Sequence, residues 1–81
     1  MARVSAQQDH ERDLPKFGEA VRQRRLDLGL SQEALADATG IDRSHMGRIE
    51  RGERNVTLLN VIKIAAALKW AASDLMKAAS L

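Results

Sequence analysis

The chain has 81 residues, which make one domain near the lower end of what folds well alone, so contacts with a partner would add useful apolar burial. It has no cysteine, which excludes disulfides and thiolate metal sites. Phe17 and Trp70 are its only aromatic residues, and this scarcity favours packed helices over a sheet. The formal net charge of +2 is too small to indicate nucleic acid by itself, although arginines outnumber acids between Arg43 and Arg54.

The first predicted helix begins near Leu14. Residues 1–13 are polar and mixed in charge, and we interpret them as a tail before a domain that covers residues 14–81. Pro15 suits a first helical turn, where its missing N–H costs nothing. The apolar stripe of this helix consists of Phe17, Val21 and Leu28, at spacings of four and seven. No run approaches the roughly 20 apolar residues of a membrane span and the polar start is not a signal peptide, so we expect a cytoplasmic location.

Two short helices come next. Ser31 is a good N-cap for the second helix, and Gly40 ends it after about two turns. Asp42 is a good N-cap for the third helix, which extends over residues 43–51 and is closed by Gly52.

The last two predicted helices cover residues 58–68 and about 72–79. The first of them is apolar nearly all round, so it must be covered on most sides. These side chains could all fill the core of one protomer, but we expect both helices to form a two-fold dimer interface with Trp70 as its anchor. The predicted interface residues are Leu59, Trp70, Ala72, Leu75 and Met76.

The segment from Gln32 to Arg51 meets the demands of a helix-turn-helix, in which two short helices cross steeply through a tight turn. Ala36 is the small side chain where the helices approach, Gly40 tolerates the positive φ of the turn, and Ile41 is an apolar plug after it. The residues expected to point into the core are Leu35, Met46 and Ile49. The sequence therefore predicts an all-α domain of five helices, with the helix-turn-helix at helices 2 and 3.

The third helix carries a polar strip opposite its apolar one, made of Arg43, Ser44, Gly47 and Arg48. Arginine offers a bidentate fork to guanine O6 and N7 in the major groove, and serine can hydrogen-bond several base edges. Gly47 would allow close approach to DNA, at a cost of up to about 1 kcal/mol of helix stability relative to alanine. The alternative is a solvated helix face.

Landmark residues over about 17–76 stand at spacings shared with one known family. They are Arg25, Leu30-Ser31-Gln32, Leu35-Ala36, Gly40, Ile49-Glu50-Arg51-Gly52, Arg54-Asn55 and Ala66-Ala67-Leu68. On these residues the chain resembles the phage-repressor (Cro/C1-type, also called XRE) helix-turn-helix family. The resemblance implies a phage-repressor-like fold and a sequence-specific DNA-binding regulator.

The resemblance also implies roles for individual residues. The implied base-reading residues are Arg43, Ser44, Arg48 and His45, and the implied contacts to the DNA backbone are Ser31, Gln32, Arg54 and Asn55. The start of helix 2 would meet a phosphate through its free N–H groups. Arg25 and Glu50 match a buried pair that ties helix 1 to helix 3.

A closer similarity is to the restriction–modification controller proteins, which share Ile41-Asp-Arg-Ser and Ile49-Glu-Arg-Gly-Glu-Arg-Asn-Val-Thr-Leu with this chain. These are dimeric regulators of their own gene and of an endonuclease gene. The similarity implies a homodimer on a palindromic operator, with double-stranded DNA and a second copy as partners and with no cofactor or small-molecule effector. The chain departs from the usual Cro/C1-type pattern at two positions, with Lys69 in place of glycine and Ala71 in place of serine or threonine. These departures leave the geometry of residues 69–73 open.

The sequence gives less support to other classes of function. No nucleophile–base set or glycine-rich phosphate loop is visible, so an enzyme is not expected. His10 and His45 lie far apart with no cysteine to assist, so no metal site is expected. The main alternative is an antitoxin that binds a partner toxin and represses its own operon, and a third possibility is an architectural module without sequence preference.

Overall fold

The computed structural model describes residues 2–81, with side chains from His10 onward, and five α-helices without any strand make up this part of the chain. The helices are α1 (Ala2–Asp27), α2 (Gln32–Thr39), α3 (Arg43–Glu50), α4 (Leu58–Ala67) and α5 (Ala72–Ala78). The predicted all-α fold of five helices is therefore confirmed.

The predicted start of the first helix at Leu14 is wrong, because α1 already begins at Ala2 and Pro15 lies inside it. Residues 2–13 contain neither glycine nor proline, so nothing in them stops a helix. The expected boundary between a tail and a domain at residues 13 and 14 therefore does not coincide with a helix end. Met1 lies outside the described residues. Proline is favoured in a first turn, whereas inside a helix it removes one backbone hydrogen bond and costs about 3 kcal/mol, so the rule that placed the helix start near Pro15 does not hold in α1.

Two glycines bring α1 close to the end of α3. Gly18 is buried against the carbonyl oxygens of Ile49 and Glu50, and a Cβ there would overlap both. Gly52, with φ +74°, lies against Pro15, whose Cα would be only 2.6 Å from a Cβ at this position. Gly18 was not among the predicted landmarks, because its small size matters only at this contact between helices.

The turn between α2 and α3 is closed locally. Gly40 has φ 73°, and its N–H donates to the carbonyl of Ala36. The buried Thr39 hydroxyl lies 3.0 Å from the carbonyl oxygens of both Leu35 and Ala36, which satisfies a polar group inside the turn. Ile41 packs against the core as the expected plug.

The core lies between α1 and the four shorter helices. Its fully buried large side chains are Val21, Leu35, Met46, Ile49, Ile64, Leu68 and Leu75. They come from all five helices, so the exposed face of α3 is held by packing on its opposite face.

The connection between α4 and α5 adopts a defined geometry at the two positions where the sequence departs from the family. Lys69 takes the left-handed conformation usual for glycine, with φ 62°, and the next N–H, of Trp70, donates to the carbonyl of Ala65 at 2.9 Å. Ala71 opens α5 without a side-chain acceptor. Its N–H instead donates to the carboxylate of Asp74 at 3.2 Å.

Replacing Lys69 with glycine is expected to stabilise the protein by about 0.5–1 kcal/mol. Relief of the left-handed strain stabilises the folded state by about 1–2 kcal/mol. Glycine also gives the unfolded chain more conformational entropy, which offsets about 0.4–1 kcal/mol of that gain. Urea denaturation checks this as a higher midpoint at an unchanged slope. Lys63→Gly, at an exposed site inside α4, is the control and should destabilise by up to about 1 kcal/mol. A midpoint for Lys69→Gly at or below that of the wild type would show that the left-handed conformation of Lys69 is not strained.

Candidate nucleic-acid interface

The outward face of α3 lines an open, polar groove, which we call the α3 groove. Its lining residues are Gln32, Asp42, Arg43, Ser44, Gly47, Arg48 and Arg51. The opposite face of the helix is anchored by Met46 and Ile49, which are essentially inaccessible to solvent. The structure thus brings Arg43, Ser44 and Arg48 together on one exposed surface, while His45 is half-buried beside it.

Asp42 fixes the first turn of α3. Its Oδ2 accepts hydrogen bonds from the N–H of Ser44, at 3.0 Å, and from the Ser44 hydroxyl. The hydroxyl bond, followed by the backbone N–H groups of His45 and Ser44, holds the pKa of Asp42 below its usual value. Because the Ser44 proton is used in this way, its oxygen faces the α3 groove as an acceptor, suited to an amino group on a base edge.

The start of α2 borders the same groove. The hydroxyl of Ser31 caps the helix by accepting from the N–H of Ala34 at 3.0 Å. The N–H groups of Gln32 and Glu33, in the first turn, have no acceptor within the helix and can receive an anion. The side-chain amide of Gln32 donates to Oε1 of Glu50 at 3.0 Å, which holds Gln32 against α3.

Arg25 and Glu50 form a buried ion pair between α1 and α3. Nε of Arg25 donates to Oε2 of Glu50 at 2.7 Å, and Nη2 donates to Oε1 at 3.0 Å. The remaining Nη1 donates to the carbonyl of Leu30 at 2.9 Å, just before α2 begins. The hydrogen bond from Glu50 raises the pKa of Arg25 further above its usual value. The pair therefore sets the position of α3 relative to α1 and to the start of α2.

Arg51 is a groove residue that the sequence analysis did not assign to the site. Its Nη1 would lie 3.3 Å from a Cβ placed on Gly47, so it covers that glycine. Residue 51 continues the spacing of 43, 44, 47 and 48 by one more step, and this signal could have identified it. Arg54 and Asn55 are exposed in the loop after α3 but do not line the groove.

Exposed apolar side chains lie on one face of α4. Leu58, Leu59 and Ile62 are 74%, 60% and 48% exposed. Only Leu59 was predicted for the dimer interface, although the spacing of the three residues marks a common helical face.

The other predicted interface residues are less exposed than Leu59. Trp70, Ala72 and Met76 are half-buried. The assignment of Leu75 to the interface is wrong, because Leu75 has no accessible surface and belongs to the protomer's own core. Cζ of Arg24, on α1, lies 4.4 Å from the centre of the Trp70 ring, and Nε of the same arginine donates to the carbonyl of Leu68 at 3.0 Å.

None of the helices that the structure describes has the length and apolar character needed to cross a membrane. Within the same residues, no three His, Cys, Asp or Glu side chains cluster in a way that could hold a metal ion. His10 pairs instead with the Asp13 carboxylate at 2.9 Å.

Residues 21–70 match the family model described as Helix-turn-helix. This span is more than half of the chain and contains α2, α3 and α4. The chain therefore belongs to the helix-turn-helix family, whose members are DNA-binding regulators rather than enzymes.

Relatives within that family narrow the class. Control protein C.SmaI of Serratia marcescens is 43% identical over 60 residues, covering 74% of this chain and 71% of the relative. Control protein C.BamHI of Bacillus amyloliquefaciens is 46% identical over 61 residues, covering 74% and 75%. The crystal structure of the restriction–modification controller protein C.AhdI from Aeromonas hydrophila has 51% identity and a TM-score of 0.76, covering 78% of this chain and 96% of that one.

Within the helix-turn-helix family, the chain thus belongs with the restriction–modification control proteins. The resemblance drawn from the sequence is confirmed, and so is the predicted class of transcription regulator. The antitoxin alternative gains no support from these relatives.

Proposed function

We propose that the protein acts in the cytoplasm, where the DNA lies, as a homodimer that binds a palindromic operator beside its own gene and regulates restriction–modification genes. The observation that carries this proposal is the α3 groove, where an exposed helix face with three arginines borders the capped start of α2. A helix of this kind fits the major groove of B-DNA. The relatives named as control proteins support the choice of target genes.

The α3 face would read bases directly. Arg43 and Arg48 each offer a bidentate donor pair to guanine, and Ser44 offers an acceptor to adenine N6 or cytosine N4. His45 is half-buried at the side of this face and would contribute a base or phosphate contact from there. Gly47 has no side chain of its own at the centre of this face, and a close approach of its backbone to the base edges would require Arg51 and Gln32, which cover it, to move aside.

Contacts to the DNA backbone would set the register of α3. Ser31 and Gln32 lie at the N-terminus of α2, where N–H groups and the helix dipole favour a phosphate. Arg54 and Asn55 are exposed on the loop after α3 and would meet the backbone beside the groove. Because Gln32 is also hydrogen-bonded to Glu50, the phosphate contact would be positioned relative to α3 before DNA arrives.

The dimer would form through α4 and α5. Leu58, Leu59 and Ile62 present apolar surface on α4, and the half-buried Trp70, Ala72 and Met76 would add to the contact from the end of α4 and from α5. Two copies of this surface, related by a two-fold axis, would place the two α3 helices in successive major grooves about 34 Å apart. Dimerisation and DNA binding would then be linked by mass action, so protein concentration could control occupancy without a small-molecule effector.

Ile62→Asp is expected to shift the dimer towards monomer, because a carboxylate would be buried in an apolar interface. Analytical ultracentrifugation over a range of concentrations checks the association, and operator affinity should fall in parallel. Leu26→Asp is the matched control, since Leu26 on α1 is also 48% exposed but lies outside the proposed interface. Equal association constants for the two variants would show that this face of α4 is not the dimer contact.

The function is tested by comparing two duplexes of equal length at one salt concentration. One carries the sequence upstream of the protein's gene, and the other carries a shuffled sequence. A specific regulator is expected to bind the first about 10³-fold or more tightly than the second. Equal affinities would contradict the proposal and favour an architectural module.

A further inference from the structure

The loop after α3 carries an acid beside the arginines of the α3 groove. Nε of Arg51 donates to Oε2 of Glu53 at 3.1 Å, and Nη2 donates to Oε1 at 3.2 Å, so the pair is bidentate. The two side chains are 58% and 54% exposed, so incoming DNA can reach both. The proposed function counts Arg51 among the arginines of the α3 groove but assigns it no particular contact, and it gives Glu53 no role.

Glu53 is surrounded by positive charge. The hydrogen bonds from Arg51, together with the charges of Arg51, Arg48 and Arg54, lower the pKa of Glu53, so it stays anionic near neutral pH. The other acid of this stretch, Glu50, is buried against α1. Glu53 is therefore the acid in the loop that faces the arginines from the solvent side.

A carboxylate and a phosphate offer a guanidinium group the same pair of acceptor oxygens. We propose that Glu53 holds Arg51 in place of a DNA phosphate, and that DNA binding exchanges the carboxylate for the phosphate. The exchange breaks the ion pair and leaves the anionic Glu53 beside the DNA backbone. Glu53 therefore weakens binding to DNA of any sequence, and the inference rests on the proposed function only in requiring DNA at the α3 groove.

The exchange has a particular effect on salt dependence. An arginine that meets a phosphate of B-DNA normally adds about 0.9 to the slope of log affinity against log salt, because counterions are released from the DNA. When Arg51 leaves Glu53, the freed carboxylate takes up a cation, which offsets that release. Arg51 thus adds little to the slope while Glu53 is present, and about 0.9 for each protomer once Glu53 is neutral.

Glu53→Gln tests the exchange, because glutamine keeps the shape of the side chain and removes its charge. Dissociation constants for the upstream and shuffled duplexes are measured over a series of KCl concentrations. At low salt the variant is expected to bind both duplexes about two- to fivefold more tightly for each protomer, with a slope steeper by about 0.9 for each protomer. Glu19→Gln changes the net charge equally at an exposed site on α1 and is the matched control.

Arg51→Gln, made in both backgrounds, identifies the group that Glu53 holds. It should change the slope little in the wild type and should return the slope of Glu53→Gln to the wild-type value. The inference is overturned if Glu53→Gln matches Glu19→Gln, or if it binds DNA more weakly, which would mean that Glu53 orients Arg51 for DNA. The shuffled duplex alone can report the exchange, so failure of operator preference and failure of this inference are separate results.

Discussion

Replacing Arg43 or Arg48 with alanine is expected to weaken binding to the operator by about 1–3 kcal/mol each, roughly 5- to 150-fold. Both guanidinium groups lie on the exposed face of α3, where each can donate two hydrogen bonds to one guanine. Each variant should lose discrimination at one base pair of each half-site. Competition binding against operators with single base-pair changes measures this directly.

Arg54→Ala provides the contrast for these two variants. Arg54 is exposed on the loop after α3 but does not line the α3 groove, so its proposed contact is with the DNA backbone. Its replacement should weaken binding to operator and shuffled DNA alike and reduce the salt slope by about 1 for each protomer. Arg54→Ala should leave the preference for operator over shuffled DNA intact. If Arg43→Ala and Arg48→Ala left that preference intact as well, α3 would not be the helix that reads the bases.

Replacing Glu50 with alanine is expected to destabilise the fold by about 3–5 kcal/mol, because it leaves the Arg25 guanidinium buried without its partner. The change removes both charge-assisted hydrogen bonds from Arg25 and the one from the Gln32 amide. A loss of this size is a large share of the roughly 5–15 kcal/mol that stabilises a typical small domain. Urea denaturation followed by circular dichroism measures it.

Glu19→Ala is the control for Glu50→Ala. Glu19 is an exposed glutamate on α1, and its Oε2 lies 4.0 Å from Nη1 of Arg22. Exposed pairs contribute little, so its removal should change stability by less than about 1 kcal/mol. Similar unfolding midpoints for Glu50→Ala and Glu19→Ala would show that the buried pair does not hold α1 on α3.

Much of the helix-turn-helix could be predicted from sequence because its signals are local. Ser31 and Asp42 cap the two helices through hydrogen bonds to residues two or three positions later, and Gly40 supplies the positive φ between them. Such signals depend on few distant contacts. The polar strip on α3 was found for the same reason, since helical spacing alone places its residues on one face.

The features that were missed depend on contacts between elements. Gly18 matters only because α1 meets the end of α3, and the start of α1 was misjudged because Pro15, a residue that favours a first turn, lies inside the helix. Periodicity shows that α4 and α5 have apolar faces but not which faces the protomer covers. Packing within the protomer decides which apolar side chains are covered, and it buries Leu75 while it leaves Leu58 exposed.

Methylation interference on the upstream duplex tests whether α3 lies in the major groove. Methylation of guanine N7 blocks the major-groove edge, whereas methylation of adenine N3 blocks the minor-groove edge. The expected result is loss of binding from guanine N7 methylation at two symmetric positions, centred about 34 Å apart along the duplex. Interference from adenine N3 alone, or no interference from either, would show that α3 does not read the major groove.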